Sequence, residues 1–140
     1  MKKELYFADV DIEYRLHFQQ VIEKYWPDYT VRSFDNIEKL FRKLVRVCGT
    51  GFPGQTPILV ICNHQISGLS GYHLLNLLRQ KIDGKVTGLY ELPVIILMRT
   101  CSPDESERCY QAGASLVIEK PVRFNDLKLQ LGEILGRFAR

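Results

Sequence analysis

Residues 94–121 read VIILMRTCSPDESERCYQAGASLVIEKP, which is two short apolar runs separated by a polar segment of helical character. The run at residues 94–98 is continuously apolar and rich in β-branched side chains, so it predicts a buried strand. Residues 102–105 (SPDE) are a strong helix start, with Ser as the cap, Pro in the first turn and Glu at the third helical position. Gly113 can supply the left-handed residue that closes this helix, and residues 116–118 predict the next strand.

The same alternation of strand and helix extends over the rest of the chain. Apolar runs at residues 5–8 and 57–62, and the segment at residues 29–34, predict three earlier strands, and amphipathic helices are predicted between them and at the end. Strands that are apolar throughout are typical of a parallel sheet covered on both faces. With right-handed crossovers, we expect an α/β, flavodoxin-like sheet of order 2-1-3-4-5. Residues 1–140 then form one domain, with no output domain after the last helix.

Composition limits the classes of function. The chain has 140 residues, 46% of them apolar and 25% charged, with a net charge of +3, as in an ordinary soluble globular domain. Lys and Arg are scattered along the sequence, which argues against direct nucleic-acid binding. No apolar run approaches the roughly 18 residues that a membrane span needs. The cysteines have no zinc-site spacing, and with no signal peptide we expect a cytoplasmic protein.

Polar side chains follow four of the predicted strands. In a sheet of this kind, ligands bind outside the carboxyl ends of the strands. The residues to consider are therefore those at 9–11, 63–64, 98–100 and 120–121. A lone His such as His64 is more often a hydrogen-bonded or exposed side chain than a metal ligand or a phosphorylated residue.

The order of motifs resembles the response-regulator receiver domain of the CheY-like superfamily. The second half carries the resemblance in residues 94–97 (VIIL), 111–115 (QAGAS) and 120–121 (KP). The first half adds residues 59–61 (LVI) leading into 68–71 (GLSG). The resemblance spans the whole chain and implies a stand-alone receiver of two-component, phosphorelay signal transduction.

The resemblance also implies a phosphorylation pocket, and most of its residues are replaced in this chain. Counting back from Gly71 places Asn63 at the position of the Asp that accepts the phosphoryl group. Val10 stands where the family has a second acidic residue, and Met98 stands where it has a Ser or Thr. Only Asp9 and Lys120 are retained. We therefore predict a degenerate pocket that is not phosphorylated.

Mg²⁺ is expected to bind poorly to these residues, and we predict no cofactor, because Mg²⁺ requires several oxygen ligands in near-octahedral geometry. Asp11 could replace the missing carboxylate if it turned inward, although a capping role at the first helix is favoured. Thr100 could replace the missing hydroxyl if its loop shifted. We expect Lys120 to lie within reach of Asp9, Asn63 or both, since an unpaired buried ammonium is costly. The family resemblance further implies a cis Lys120–Pro121 bond.

The function expected from these features is protein–protein interaction without phosphorylation. The resemblance places the interface on the face formed by helix 4, strand 5 and helix 5, used for a signalling partner or for self-association. Phosphorylation at an atypical residue and a flavodoxin-like small-molecule site remain as alternatives. An enzyme is not expected, because the strand ends show no nucleophile–base pair and no carboxylate dyad.

Overall fold

Strands and helices alternate along the chain as predicted. The computed structural model describes residues 2–49, 56–64, 70–79 and 91–139, so two residues of the 68–71 motif lie outside the described part. The elements are β1 (Lys3–Ala8), α1 (Ile12–Tyr25), β2 (Tyr29–Phe34), α2 (Ile37–Gly49), β3 (Leu59–Asn63), α3 (Gly71–Leu78), β4 (Val94–Met98), α4 (Pro103–Gln111), β5 (Leu116–Glu119) and α5 (Phe124–Phe138).

The described strands form one parallel sheet in the order β2-β1-β3-β4-β5, which confirms the predicted topology. The register aligns Ala8 of β1 with Cys62 of β3, and Met98 of β4 with Glu119 of β5. The strands therefore end at one common edge. This edge brings together the side chains that follow each strand, as the sheet topology requires.

A hydrophobic core lies on each face of the sheet. Successive side chains of β1 alternate between the two cores, as they must in a strand: Leu5 and Phe7 face α1 and α5, whereas Tyr6 and Ala8 face α2, α3 and α4. The central strands β3 and β4 are buried along their whole length. This burial on both faces explains why their sequences are continuously apolar.

The ends of α4 follow the signals in the sequence. Ser102 is the N-cap, and its side chain accepts a hydrogen bond from the Glu105 amide at 3.5 Å, with Pro103 in the first turn. Gly113 closes the segment with φ of 110°, a backbone conformation that favours glycine. A Cβ at this position would lie 2.8 Å from the Arg79 side chain, so a larger residue would also force that side chain to move.

Candidate functional site

A buried ion pair joins the ends of β1 and β5. Asp9 follows β1 directly, Lys120 follows β5 directly, and the Lys120 Nζ lies 2.6 Å from Oδ2 of Asp9. The Asp9 side chain is 1% exposed and that of Lys120 is 16% exposed. Oδ1 of Asp9 accepts a hydrogen bond from the Asp11 amide at 3.0 Å. Both carboxylate oxygens are therefore engaged, and the predicted contact between Lys120 and Asp9 is confirmed.

Tyr14 completes the surroundings of Lys120. The Lys120 Nζ lies 4.1 Å from the centre of the Tyr14 ring, a distance at which a cation and an aromatic face attract each other. The Tyr14 hydroxyl donates a hydrogen bond to the Pro121 carbonyl. Burial, and secondarily the negative charge of Asp9, raise the pKa of Tyr14. The hydroxyl therefore stays protonated as a donor, and Lys120 is held between an anion and an aromatic ring.

The Lys120–Pro121 bond is trans, so the predicted cis bond is wrong. Prolyl peptide bonds prefer trans by about 0.5–1 kcal/mol unless the surrounding structure selects cis. In the trans form the Lys120 amide donates to the Met98 carbonyl at 2.7 Å, and the side chain still reaches Asp9. The ion pair thus forms without the isomer that the resemblance implied.

The replaced positions are apolar or neutral. Asn63 is 8% exposed at the end of β3, and its Oδ1 is buried without a hydrogen-bond partner. Met98 is buried at the end of β4, where its Sδ lies 3.7 Å from the donating hydroxyl of Ser106. Val10 is 53% exposed, and its side chain brings no polar atom. Each residue occupies the strand end predicted for it.

The two residues considered as replacements lie elsewhere. Asp11 is the exposed N-cap of α1, and its Oδ1 accepts hydrogen bonds from the amides of Glu13 at 2.9 Å and Tyr14 at 3.4 Å. This is the capping role favoured from the sequence. Thr100 is exposed on the loop before α4, where its carbonyl accepts from the Ser102 amide at 3.1 Å. Neither side chain joins the Asp9–Lys120 pair in the contacts of the described residues.

A buried histidine adjoins this edge. His64 is 4% exposed, and its Nε2 lies 3.1 Å from Oε2 of Glu105 on α4. Its Nδ1 lies 3.8 Å from the Cys109 thiol, also on α4. Burial lowers the pKa of His64 and the charge of Glu105 opposes this shift, so the imidazole is preferentially neutral. The hydrogen-bonded role expected for His64 is confirmed, and the ring ties the end of β3 to α4.

The neighbouring thiol is a weak nucleophile near neutral pH. Cys109 is fully buried, and burial is the largest cause that raises its pKa to about 11. The thiolate, which is the reactive form, is therefore scarce near neutral pH. Within residues 2–49, 56–64, 70–79 and 91–139, no group of three His, Cys, Asp or Glu side chains is arranged to hold a metal ion.

Sequence reasoning missed Tyr14 and Glu105. Tyr14 lies on the same side of α1 as the core residues Phe18 and Val21, and this helical spacing was the available signal. Glu105 was recognised only as part of the helix start of α4. Its contact with His64 depends on how α4 packs against the end of β3, which spacing along the chain does not specify.

The sequence of this chain is similar to those of known response regulators. A family model described as "Response regulator receiver domain" matches residues 7–131. The two-component response regulator ARR17 of Arabidopsis thaliana is 27% identical in an alignment of 88 residues that covers 57% of this chain and 54% of that protein. ORR4 of Oryza sativa subsp. indica is 30% identical over 79 residues, 56% of this chain and 32% of that protein. The chain spans between a third and about half of the length of these relatives.

Solved structures share the fold at low sequence identity. The phosphorylated cyanobacterial phytochrome response regulator RcpA superposes with a TM-score of 0.80 at 14% identity, covering 99% of this chain and 95% of that chain. A putative response regulator from Chloroflexus aurantiacus has a TM-score of 0.73 at 22% identity, covering 98% and 100%. In the described part of the chain, no helix is long and apolar enough to cross a membrane.

Proposed function

The chain belongs to the response regulator receiver family, and from that premise we propose that it is a receiver that accepts no phosphoryl group and acts by binding a protein partner. Receivers are signalling modules of two-component systems. The observation that carries the proposal is the pocket itself: a carboxamide, Asn63, replaces the nucleophilic carboxylate, and Lys120 is already bonded to Asp9 at 2.6 Å.

The chemistry of Asn63 supports the absence of phosphorylation. Attack on a phosphoryl group needs an electron-rich oxygen such as a carboxylate, whereas the amide of Asn is neutral. His64 is the nearest alternative nucleophile along the chain. Its ring is 4% exposed and contacts Glu105 and Cys109 through its two nitrogens, so neither nitrogen is presented to a phosphodonor.

The donor set does not fit Mg²⁺. Magnesium requires near-octahedral oxygen ligands and usually binds through one or two carboxylates. Asp9 is the single buried carboxylate among the described residues, and Lys120 and the Asp11 amide engage both of its oxygens. The side chain of Val10 offers no ligand, and the thioether of Met98 is a soft sulfur that magnesium does not select. We infer that the site works without a metal and that Lys120 occupies the charge-neutralising role beside Asp9.

The proposed interface is the face of α4, β5 and α5, used for a signalling partner or for a second copy of the chain. The inner side of α4 is fixed to the pocket edge, because Glu105 contacts His64 and Ser106 contacts Met98. On its outer side, Tyr110 is 46% exposed, and its hydroxyl accepts a hydrogen bond from the Val117 amide of β5 at 2.9 Å. These contacts hold α4 against β5 in one arrangement, which a partner can recognise. Free thiols at Cys62, Cys101 and Cys109 support a cytoplasmic location.

Phosphodonor chemistry tests the proposal. The protein is incubated with acetyl phosphate and Mg²⁺, and its intact mass is measured; we expect no phosphorylated species. The Asn63→Asp variant restores only the nucleophile and should also stay unmodified. The triple variant Val10→Asp, Asn63→Asp, Met98→Thr restores the acidic pair and the hydroxyl as well, and it should become phosphorylated.

Phosphorylation of the unmodified protein would overturn the proposal and favour an atypical acceptor residue. Phosphorylation of Asn63→Asp alone would show that Val10 and Met98 are compatible with the chemistry. In that case the loss of function would reside in the nucleophile only, and these residues would bind Mg²⁺ well enough for phosphorylation.

A further inference from the structure

A basic groove lies on α2, on the opposite side of the sheet from α1 and α5. Five residues line it: Phe34, Lys39, Arg42, Lys43 and Arg46, around a volume of about 520 Å³. We propose that this groove binds an acidic segment of a partner protein, with an apolar side chain of that segment placed against Phe34. The groove is separate from the pocket at Asp9 and from the α4, β5 and α5 face.

The basic side chains share one side of the helix. Positions 39, 42, 43 and 46 recur at i, i+3, i+4 and i+7, the spacing that aligns side chains along α2. The apolar side of α2 is buried in the core through Ile37, Leu40, Leu44 and Val47, which are at most 4% exposed. The orientation of α2 is therefore fixed by its packing. Four basic residues within the eight positions 39–46 therefore form one surface.

Part of this positive charge is unpaired. Lys39 pairs with Asp35 at 3.1 Å and Arg42 pairs with Glu38 at 2.9 Å, each one turn along the helix. Lys43 and Arg46 have no acidic partner among the described residues. The sequence contains no Asp or Glu between Glu38 and Asp83, so the segment that follows offers none. The groove therefore presents a net positive charge that an acidic ligand can neutralise.

Phe34 gives the groove an apolar base. It is the last residue of β2, half-buried, with its ring centre 5.3 Å from that of the buried Tyr6. An aromatic or aliphatic side chain of a ligand would bury the exposed part of this ring, which adds stabilisation beyond that of the charges. The combination of a cationic rim and an apolar base fits an acidic peptide that contains an apolar residue.

Other anionic partners fit less well. The basic row from Lys39 to Arg46 is about 10 Å long at 1.5 Å per residue. A row of this length covers too little surface for a specific nucleic-acid interface, which buries roughly 1,000–2,500 Å² of protein. A helix that binds a membrane surface inserts its apolar side between the lipids. The apolar side of α2 is buried in the core and is not available for insertion.

The probe is a fluorescein-labelled peptide of three Glu residues on each side of a central Phe, with fluorescence anisotropy as the readout. We expect saturable binding at low salt that weakens as the ionic strength rises. The double variant Lys43→Glu, Arg46→Glu should weaken binding by about tenfold or more, since each exposed charge pair contributes modestly and reversal also adds repulsion. Replacing the central Phe of the peptide with Ser should weaken binding to the unmodified protein.

The matched control is Lys3→Glu, Lys24→Glu, which makes the same change in net charge at exposed positions of β1 and α1, outside the groove and outside the α4, β5 and α5 face. Affinity for the peptide should be unchanged in this variant. If both double variants lost the same amount of affinity for the peptide, binding would depend only on overall charge, and the proposal would be overturned. No peptide binding to the unmodified protein, or tighter binding of a single-stranded oligonucleotide or of phosphatidylserine-containing vesicles, would overturn it as well.

Discussion

Removing the charge of Lys120 should destabilise the protein far more than removing a cation from its surface. In Lys120→Met, the Asp9 carboxylate stays buried and keeps only the Asp11 amide as a partner. Breaking a buried ion pair from one side typically costs about 3–5 kcal/mol, because an uncompensated charge remains. The Lys120 side chain is 16% exposed, so water can partly solvate the carboxylate in the variant, and we expect a loss of about 2–4 kcal/mol.

A double-mutant cycle separates the pair from its surroundings. Asp9→Asn, Lys120→Met and their combination are unfolded in urea, and the fluorescence of Trp26, the single tryptophan, reports the transition. Because the double variant leaves no buried charge, it should lose much less stability than the sum of the single variants. We expect a coupling energy of about 2 kcal/mol or more between the two sites.

The surface pair of Arg32 and Glu4 provides the control cycle. Its nitrogen and oxygen are 3.0 Å apart, similar to the buried pair, but the side chains are 53% and 25% exposed. Exposed pairs of this kind contribute about 0.2–1 kcal/mol, so the cycle of Glu4→Gln and Arg32→Met should give a small coupling energy. If the coupling energy between Asp9 and Lys120 were no larger than this, the conclusion that their buried ion pair stabilises the fold would be refuted.

Further predictions concern the residues around the site. Asp11→Ala removes the N-cap of α1 and should lower the free energy of unfolding by about 1 kcal/mol in urea titrations, whereas Asp11→Asn should retain most of it; equal losses would contradict the capping role. Gly113→Ala introduces a Cβ at φ of 110° and 2.8 Å from Arg79, so we expect a loss of about 1–3 kcal/mol, and an unchanged urea midpoint would argue against this strain. Burial lowers the pKa of His64 in the folded protein, so the unfolded chain takes up a proton on His64 more readily. The contribution of His64 to the free energy of unfolding is therefore present above pH 6.5, the ordinary pKa of histidine, and is lost as the pH falls through the lower pKa of the folded protein. Urea titrations from neutral to mildly acidic pH should therefore show a steeper decline for the unmodified protein than for His64→Gln.

The fold was predictable because its signals are local. Apolar runs such as residues 94–98 and the helix start at residues 102–105 each specify an element, and the general rules for parallel sheets then leave few topologies. The same rules place Asp9 and Lys120 at one edge, so their contact follows from topology and from the cost of an unpaired buried ammonium. Prediction succeeded where a local pattern or a general rule determines the outcome.

The contacts that were not predicted depend on packing between distant elements. The bond between His64 and Glu105 requires a particular placement of α4 on β3, and the ring of Tyr14 reaches Lys120 only because α1 packs beside the loop before α5. The Lys120–Pro121 isomer is a further case, because the free-energy difference between cis and trans is small and the surrounding structure selects one of them. Neither kind of information is contained in the spacing of residues along the chain.

The hydrogen bond from the Val117 amide to the Tyr110 hydroxyl limits how the outer strand of the sheet can be used. Edge strands with free amides invite another strand to pair with them, in specific complexes and in aggregates alike. At Val117 the position is already occupied by a side chain of the same molecule. A partner docking there by strand addition would first have to displace the phenol, so recognition through side chains is favoured over recognition through the backbone.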